Sequence, residues 1–145
     1  MKLKEILKAK GNQVETIGPA ETIKHAMDKT IKKQIGALVV MERESIEGII
    51  TERDISRIVH EKGERAFDLA VSDVMTRRLI VCLPDDDIDM AMALMTNNRF
   101  RHIPIIHEKK LIGIISIGDI IKAQVHDLKI ENRYLIDYIT GKYPA

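Results

Sequence analysis

The chain is one unit written twice. Shifted by 65 residues, Gly48-Ile49-Ile50-Thr51-Glu52-Arg53-Asp54-Ile55 lies on Gly113-Ile114-Ile115-Ser116-Ile117-Gly118-Asp119-Ile120, and residues 14–57 lie on 79–122 without a gap. Pro19/Pro84, Ile23/Ile88, Ala26/Ala91 and Met27/Met92 are identical across the copies. Upstream, Leu3-Lys4-Glu5-Ile6-Leu7 resembles Val71-Ser72-Asp73-Val74-Met75 at an offset of 68, so the first copy carries a loop-sized insertion around Lys10-Gly11-Asn12. A unit of about 60 residues buries too little surface to be secure alone, so two copies in one chain predict a shared, pseudo-twofold body.

Each copy predicts strand–helix–strand–strand–helix. The first strand is residues 14–17 or 79–82. A Pro-containing turn leads to a helix with apolar positions Ile23, Ala26, Met27, Thr30 and Ile31, matched by Ile88, Ala91, Met92, Met95 and Thr96. Two apolar runs joined by a charged turn follow, 37–41 to 46–51 and 102–106 to 111–116, and read as β-hairpins with Pro104 near a strand start or edge. A second helix opens at Glu52 and at Gly118. Its second-copy version runs on through Ile120, Ile121, Val125, Leu128, Leu135, Ile136 and Ile139, with Gly141 and Pro144 as stop signals. The fold class expected is α/β (α+β): two tandem β-α-β-β-α repeats, residues 1–67 and 68–127, and a helical extension over 128–145.

Composition removes several function classes. The 23 Lys+Arg against 22 Asp+Glu give a formal charge of +1, which argues against a polyanion-binding face. Aromatics at 3%, with no Trp, leave no stacking platform for nucleic acid. The single Cys82 excludes an intrachain disulfide and fits a reducing compartment. The longest uncharged stretch, Met90 to Asn98, is far short of the roughly 20 residues of a membrane span, and no apolar signal segment follows the first charges. The expectation is a cytoplasmic protein without nucleic-acid or membrane partners. Phosphate-loop, dinucleotide-fold, nucleophile-elbow and His-Glu-x-x-His patterns are all missing, which argues against an enzyme. Asp85-Asp86-Asp87 with Asp89 fit a helix start better than a cation site.

Thr51-x-x-Asp54 and Ser116-x-x-Asp119 stand where a strand hands over to a helix. Unpaired N–H groups and the helix dipole favour an anion there, a hydroxyl can bond phosphate or ribose, and a carboxylate can accept two vicinal ribose hydroxyls. Arg53 can neutralise a phosphate, whereas its counterpart Gly118 cannot, so the two sites are chemically unequal. The same spacing is also that of a helix capping box, and Arg53 also fits a solvated surface charge. Met90, Ala93 and Leu94 replace His25, Asp28 and Lys29 of the first copy. This predicts a wider apolar face and a dimer contact, which Tyr134, Leu135 and Tyr138 extend.

Val71-Ser72-Asp73-Val74-Met75, then Arg101-His102-Ile103-Pro104, then Gly113-Ile114-Ile115-Ser116-x-x-Asp119 resemble the cystathionine β-synthase (CBS) domain, here as a tandem pair or Bateman module. The tail from Glu131 to Gly141 is similar to the ends of small stand-alone CBS-pair proteins. The resemblance implies regulatory binding of an adenosine-containing ligand (AMP, ADP, ATP, NAD or S-adenosylmethionine) in clefts between the copies, with no catalytic cofactor. It implies a homodimer, a disc of four CBS units, and a separate regulated protein. It assigns ligand contacts to Thr51, Asp54, Ser116 and Asp119, phosphate contacts to Arg101 and His102, and the adenine-lining strand position to Thr16 and Val81. His102 also fits an ordinary half-buried strand histidine. The alternative is a structural adaptor whose clefts stay empty.

Overall fold

A computed structural model describes residues 1–11 and 13–141, Tyr138 by its backbone alone. Asn12 of the insertion, the Tyr138 side chain and the expected stop at Pro144 lie outside the described residues.

The first copy forms β1 (Thr16–Ile17), α2 (Ile23–Lys33), β2 (Ala37–Glu42), β3 (Ser45–Thr51) and α3 (Glu52–Lys62), preceded by α1 (Leu3–Lys10). A 3-10 turn over Gly63–Asp68 and the short α4 (Val71–Val74) lead into α5 (Ile88–Asn98), β4 (His102–His107), β5 (Lys110–Ser116) and α6 (Ile117–Ile139). The strand order is β1-β2-β3, with β1 parallel and β3 antiparallel to β2. The hairpins share one irregularity, between Val40 and Met41 and between Ile105 and Ile106. α2 and α5 both end on a left-handed residue, Gln34 and Arg99. Gly141, at φ +81, follows the long helix as a stop.

The second copy departs from expectation at its first strand. Where residues 79–82 predict a strand, a single parallel bridge joins Cys82 to Ile105. In the first copy the Val39 N–H donates to the Glu15 carbonyl at 3.3 Å. The counterpart of Val39 is Pro104, which has no N–H to give Ile80, so the ladder stops after Cys82. α6 also starts one residue earlier than expected.

The two apolar clusters are built by exchange. One holds Ile17, Ile23, Ala26, Leu38, Val40, Ile50 and Ile55 of the first copy, but is completed by Val71 and Met75. The other holds Cys82, Ile88, Ala91, Met95, Ile103, Ile105, Ile115 and Ile120, but is completed by Leu3, Ile6 and Leu7 from the start of the chain. Backbone bonds fix the exchange with the same symmetry. Val71 N–H donates to Glu21 O at 2.8 Å, and Leu3 N–H to Asp86 O at 2.9 Å. Ile23 N–H donates to Leu69 O at 2.9 Å, and Ile88 N–H to Met1 O at 3.0 Å. Two glycines let the crossing segments approach. A Cβ on Gly48 would stand 2.7 Å from the Thr76 carbonyl and 2.9 Å from Met75 Sδ, and one on Gly113 would run into Leu7.

Some expected core positions face solvent. Ile31 and Thr96, at equivalent places on α2 and α5, are exposed. Leu94, expected on an outward face, packs on the second cluster, while Met90 and Ala93 stay exposed. No helix among the described residues is long and apolar enough to cross a membrane.

Candidate functional site

At both strand–helix junctions the hydroxyl and the acid close a capping box. Thr51 N–H and Oγ1 donate to Asp54 Oδ2, each at 3.0 Å, and Asp54 N–H returns to Thr51 Oγ1 at 3.2 Å. Ser116 N–H donates to Asp119 Oδ2 at 2.9 Å, and Asp119 N–H to Ser116 Oγ at 3.1 Å. The structural reading of the spacing is therefore realised in both copies. It uses one carboxylate oxygen of Asp54. The other has only Arg57 near it, at 3.9 Å, and remains an acceptor for a ligand hydroxyl.

Thr51 and Asp54 open into a cavity of about 580 Å³ between the two copies, within the range of roughly 300–1,000 Å³ common for small-molecule sites. The first copy contributes Gly36, Ile49 and the start of α3. The second contributes Arg78, Leu79, Ile80 and the segment from Asn98 to His102. Of the expected ligand residues, Thr51, Arg53, Asp54, Arg101 and His102 meet here. Thr16 and Val81 are not among its lining residues. The Thr16 carbonyl instead accepts from Lys29 Nζ, and Val81 is exposed.

The lining has a charge the whole chain lacks. Arg53, Arg57, Arg78, Arg99 and Arg101 face Glu52 and Asp54, five cations against two anions. Arg57, Arg78 and Arg99 carry no motif. Arg78 shows only once the exchange of α1 and α4 brings the residues after Met75 over the first copy's junction. Ile49, Leu79, Ile80 and Phe100 supply apolar wall.

His102 sits on the seam between the copies, and a Cβ on Gly36 would lie 3.1 Å from its ring. Burial, with the positive charges of Lys10 and Arg101 behind it, outweighs Asp119 and holds the imidazole below its ordinary range. It is therefore a neutral, half-buried group on the cavity wall at pH 7.

Ser116 and Asp119 lie at the other junction. There Lys10 Nζ donates to Asp119 Oδ2 at 2.7 Å and to the Ile114 carbonyl at 2.8 Å. Lys10 corresponds to Arg78 at the 68-residue offset of the exchanged segments. Burial would raise the Asp119 carboxyl, but the bonds from Lys10 and Ser116 outweigh it and hold it below the ordinary carboxylate range. The two junctions share a plan and differ in occupancy: one acid faces a basic cavity, the other holds the chain's own ammonium group.

The remaining groups have local partners. Asp85 pairs with Lys4 at 2.8 Å, Asp87 with Lys2 at 3.4 Å, and Asp86 accepts from the Leu83 N–H at 2.7 Å. Among the described residues no group of three or more His, Cys, Asp or Glu is placed to hold a metal ion. Cys82 is buried, and burial pushes its thiol up to about 11.

This duplicated unit, with its exchanged helices and matched junctions, has known counterparts. The family model of the CBS domain matches residues 4–61 and again 71–126. The chain belongs to the CBS-domain family. The CBS domain-containing protein CBSX3 of Arabidopsis thaliana, described as mitochondrial, is 37% identical over 150 residues, spanning 97% of this chain and 73% of that one. The crystal structure of the CBS-domain containing protein ATU1752 from Agrobacterium tumefaciens superimposes with a TM-score of 0.84 at 38% identity, over 86% of this chain and 99% of that one. The CBS pair of MJ0100, solved with 5′-methylthioadenosine and S-adenosylmethionine, shares the fold at a TM-score of 0.77 and 22% identity, over 88% of this chain and 98% of that one.

Proposed function

We propose that this CBS pair is a regulatory, non-catalytic receptor for a phosphorylated adenosine compound of the AMP, ADP, ATP or NAD type, which binds between the copies beside Asp54 and signals to a separate protein. The observation that carries this reading is the gathering of five arginines and the Thr51–Asp54 junction around one cavity. Asp54 keeps an oxygen for ribose hydroxyls. The arginines suit two or more phosphate groups, because guanidinium pairs well with phosphate oxygens. The apolar wall suits a base. The adenosine compounds held by the MJ0100 pair support a nucleoside in this fold's clefts.

The charge of the cavity selects among adenosine compounds. S-adenosylmethionine brings a sulfonium and an ammonium toward five guanidinium groups. A nucleoside diphosphate brings compensating charge. Binding should therefore be tight for polyphosphates, weaker for AMP and weakest for S-adenosylmethionine, and it should fall with salt.

Calorimetric titration and thermal unfolding with each compound test this. At a hundredfold excess over the dissociation constant, ligand should add about 2.7 kcal/mol, a rise of roughly 5–10 °C in Tm. No heat and no Tm shift with any of them would remove the reading and leave an adaptor role. A preference for S-adenosylmethionine would remove the charge argument.

A further inference from the structure

α6 is longer than the second apolar cluster requires. Ile117, Ile120 and Ala123 pack on that cluster, and the helix continues to Ile139 with most of its apolar side chains in solvent. These exposed residues are ordered. Ile121, Val125, Leu128, Asn132, Leu135 and Ile139 follow in alternating steps of four and three. At about 100° per residue they form one stripe roughly 80° wide, turned about 100° or more from Ile120 and Ala123. The five apolar members are between 43% and 79% exposed.

We propose that this stripe is the seam of a parallel two-stranded coiled coil formed with α6 of a second copy of the chain. The 4-3 alternation is a seven-residue repeat, which suits helices that wind around one another. Val125, Asn132 and Ile139 occupy its first core position, and Ile121, Leu128 and Leu135 its second. β-branched residues at the first with leucine at the second favour two strands, and a single asparagine at the first fixes register. In the parallel, in-register pair Asn132 meets Asn132 of the second copy. In an antiparallel or shifted pair each amide is buried against aliphatic carbon, unsatisfied. The flanking pairs of the parallel arrangement, Gln124 with Lys129 and Glu131 with Ile136, set no like charges together.

The exposed surface of the seam amounts to about three whole aliphatic side chains per copy, on the order of 300 Å². That is the size at which a soluble monomer rarely leaves an apolar patch uncovered. A lipid surface is a poorer occupant, because it would strand Asn132 in hydrocarbon. The inference is independent of the nucleotide reading, since no seam residue lines the cavity.

Sedimentation equilibrium of the full chain without nucleotide tests the proposal. The chain should be a dimer, and Leu128→Asp combined with Leu135→Asp should raise its dissociation constant at least a hundredfold without lowering nucleotide binding. Leu128→Cys should form an intermolecular disulfide far faster than His126→Cys, which lies on the opposite side of α6, while the buried Cys82 stays out of the reaction. A wild-type monomer at all concentrations would overturn the proposal. So would dimerisation unaffected by the double substitution, or equal cross-linking of the two cysteine variants.

Discussion

Lys10 Nζ stands 2.7 Å from Asp119 Oδ2, whereas Arg57, the nearest cation to Asp54 among the described residues, is 3.9 Å away. The chain therefore places its own cation where the second copy would offer a carboxylate to ribose. Wild type should bind one nucleotide per chain, and Lys10→Met should add a second, weaker site that Asp119→Asn removes. Two equal sites in wild type would contradict this. The pair also sets an acid limit. Because the folded Asp119 carboxyl lies below its ordinary 3.8, its contribution is complete above that value and is lost as pH falls through the folded one. Lys10→Met should move the acid-unfolding midpoint upward, as followed by circular dichroism.

Gly48→Ala should cost more than Gly113→Ala. The added methyl at residue 48 meets the Thr76 carbonyl, and that backbone is pinned by the paired bonds Thr76 N–H to Ile49 O at 2.8 Å and Ile49 N–H to Thr76 O at 3.0 Å. At residue 113 it meets only the end of the Leu7 side chain, which can shift. Overpacking of this kind gives losses of about 2–3 kcal/mol and about 1 kcal/mol respectively. Urea unfolding measures both, and the reverse order would contradict the packing account.

His102 makes the seam sensitive to mild acid. Its folded value lies below 6.5, so it binds fewer protons folded than unfolded. Its contribution is complete above pH 6.5 and is lost as pH falls through the folded value. Between pH 7.5 and 5.5 wild type should lose more stability than His102→Gln. Parallel loss in the two proteins would assign the acid response to other groups. A bound polyphosphate, by stabilising the imidazolium, should shrink the difference.

Asp54 carries two roles that substitution separates. Asp54→Asn keeps an oxygen for the Thr51 N–H but drops the charge, so stability should change little while nucleotide affinity falls about tenfold. Asp54→Ala loses the cap as well and should also cost about 1 kcal/mol. Equal affinity in wild type and both variants would place the ligand elsewhere.

The repeat made most of this fold legible before any coordinates. Helix spacing, hairpin bounds and both capping junctions follow from residues whose local chemistry decides their conformation. What stayed hidden depended on residues far apart in sequence. The missing first strand of the second copy traces to Pro104, whose absent N–H matters only because Ile80 lies opposite. Arg78 reaches the cavity only because α4 is docked on the first copy. Thr16 and Val81 had been assigned through the resemblance alone, and neither lines the cavity, whereas Thr51 and Asp54, which also have a chemical reason to stand at the junction, do.

The crossing of α1 and α4 has a consequence for biogenesis. Leu3, Ile6 and Leu7 leave the ribosome first, yet the pocket they plug is finished only when Ile115 and Ile120 have been made. The opening helix must therefore wait, undocked, through nearly all of translation. Severing the chain between the halves would strand each plug with the wrong fragment, so the two pieces should regain structure only when mixed.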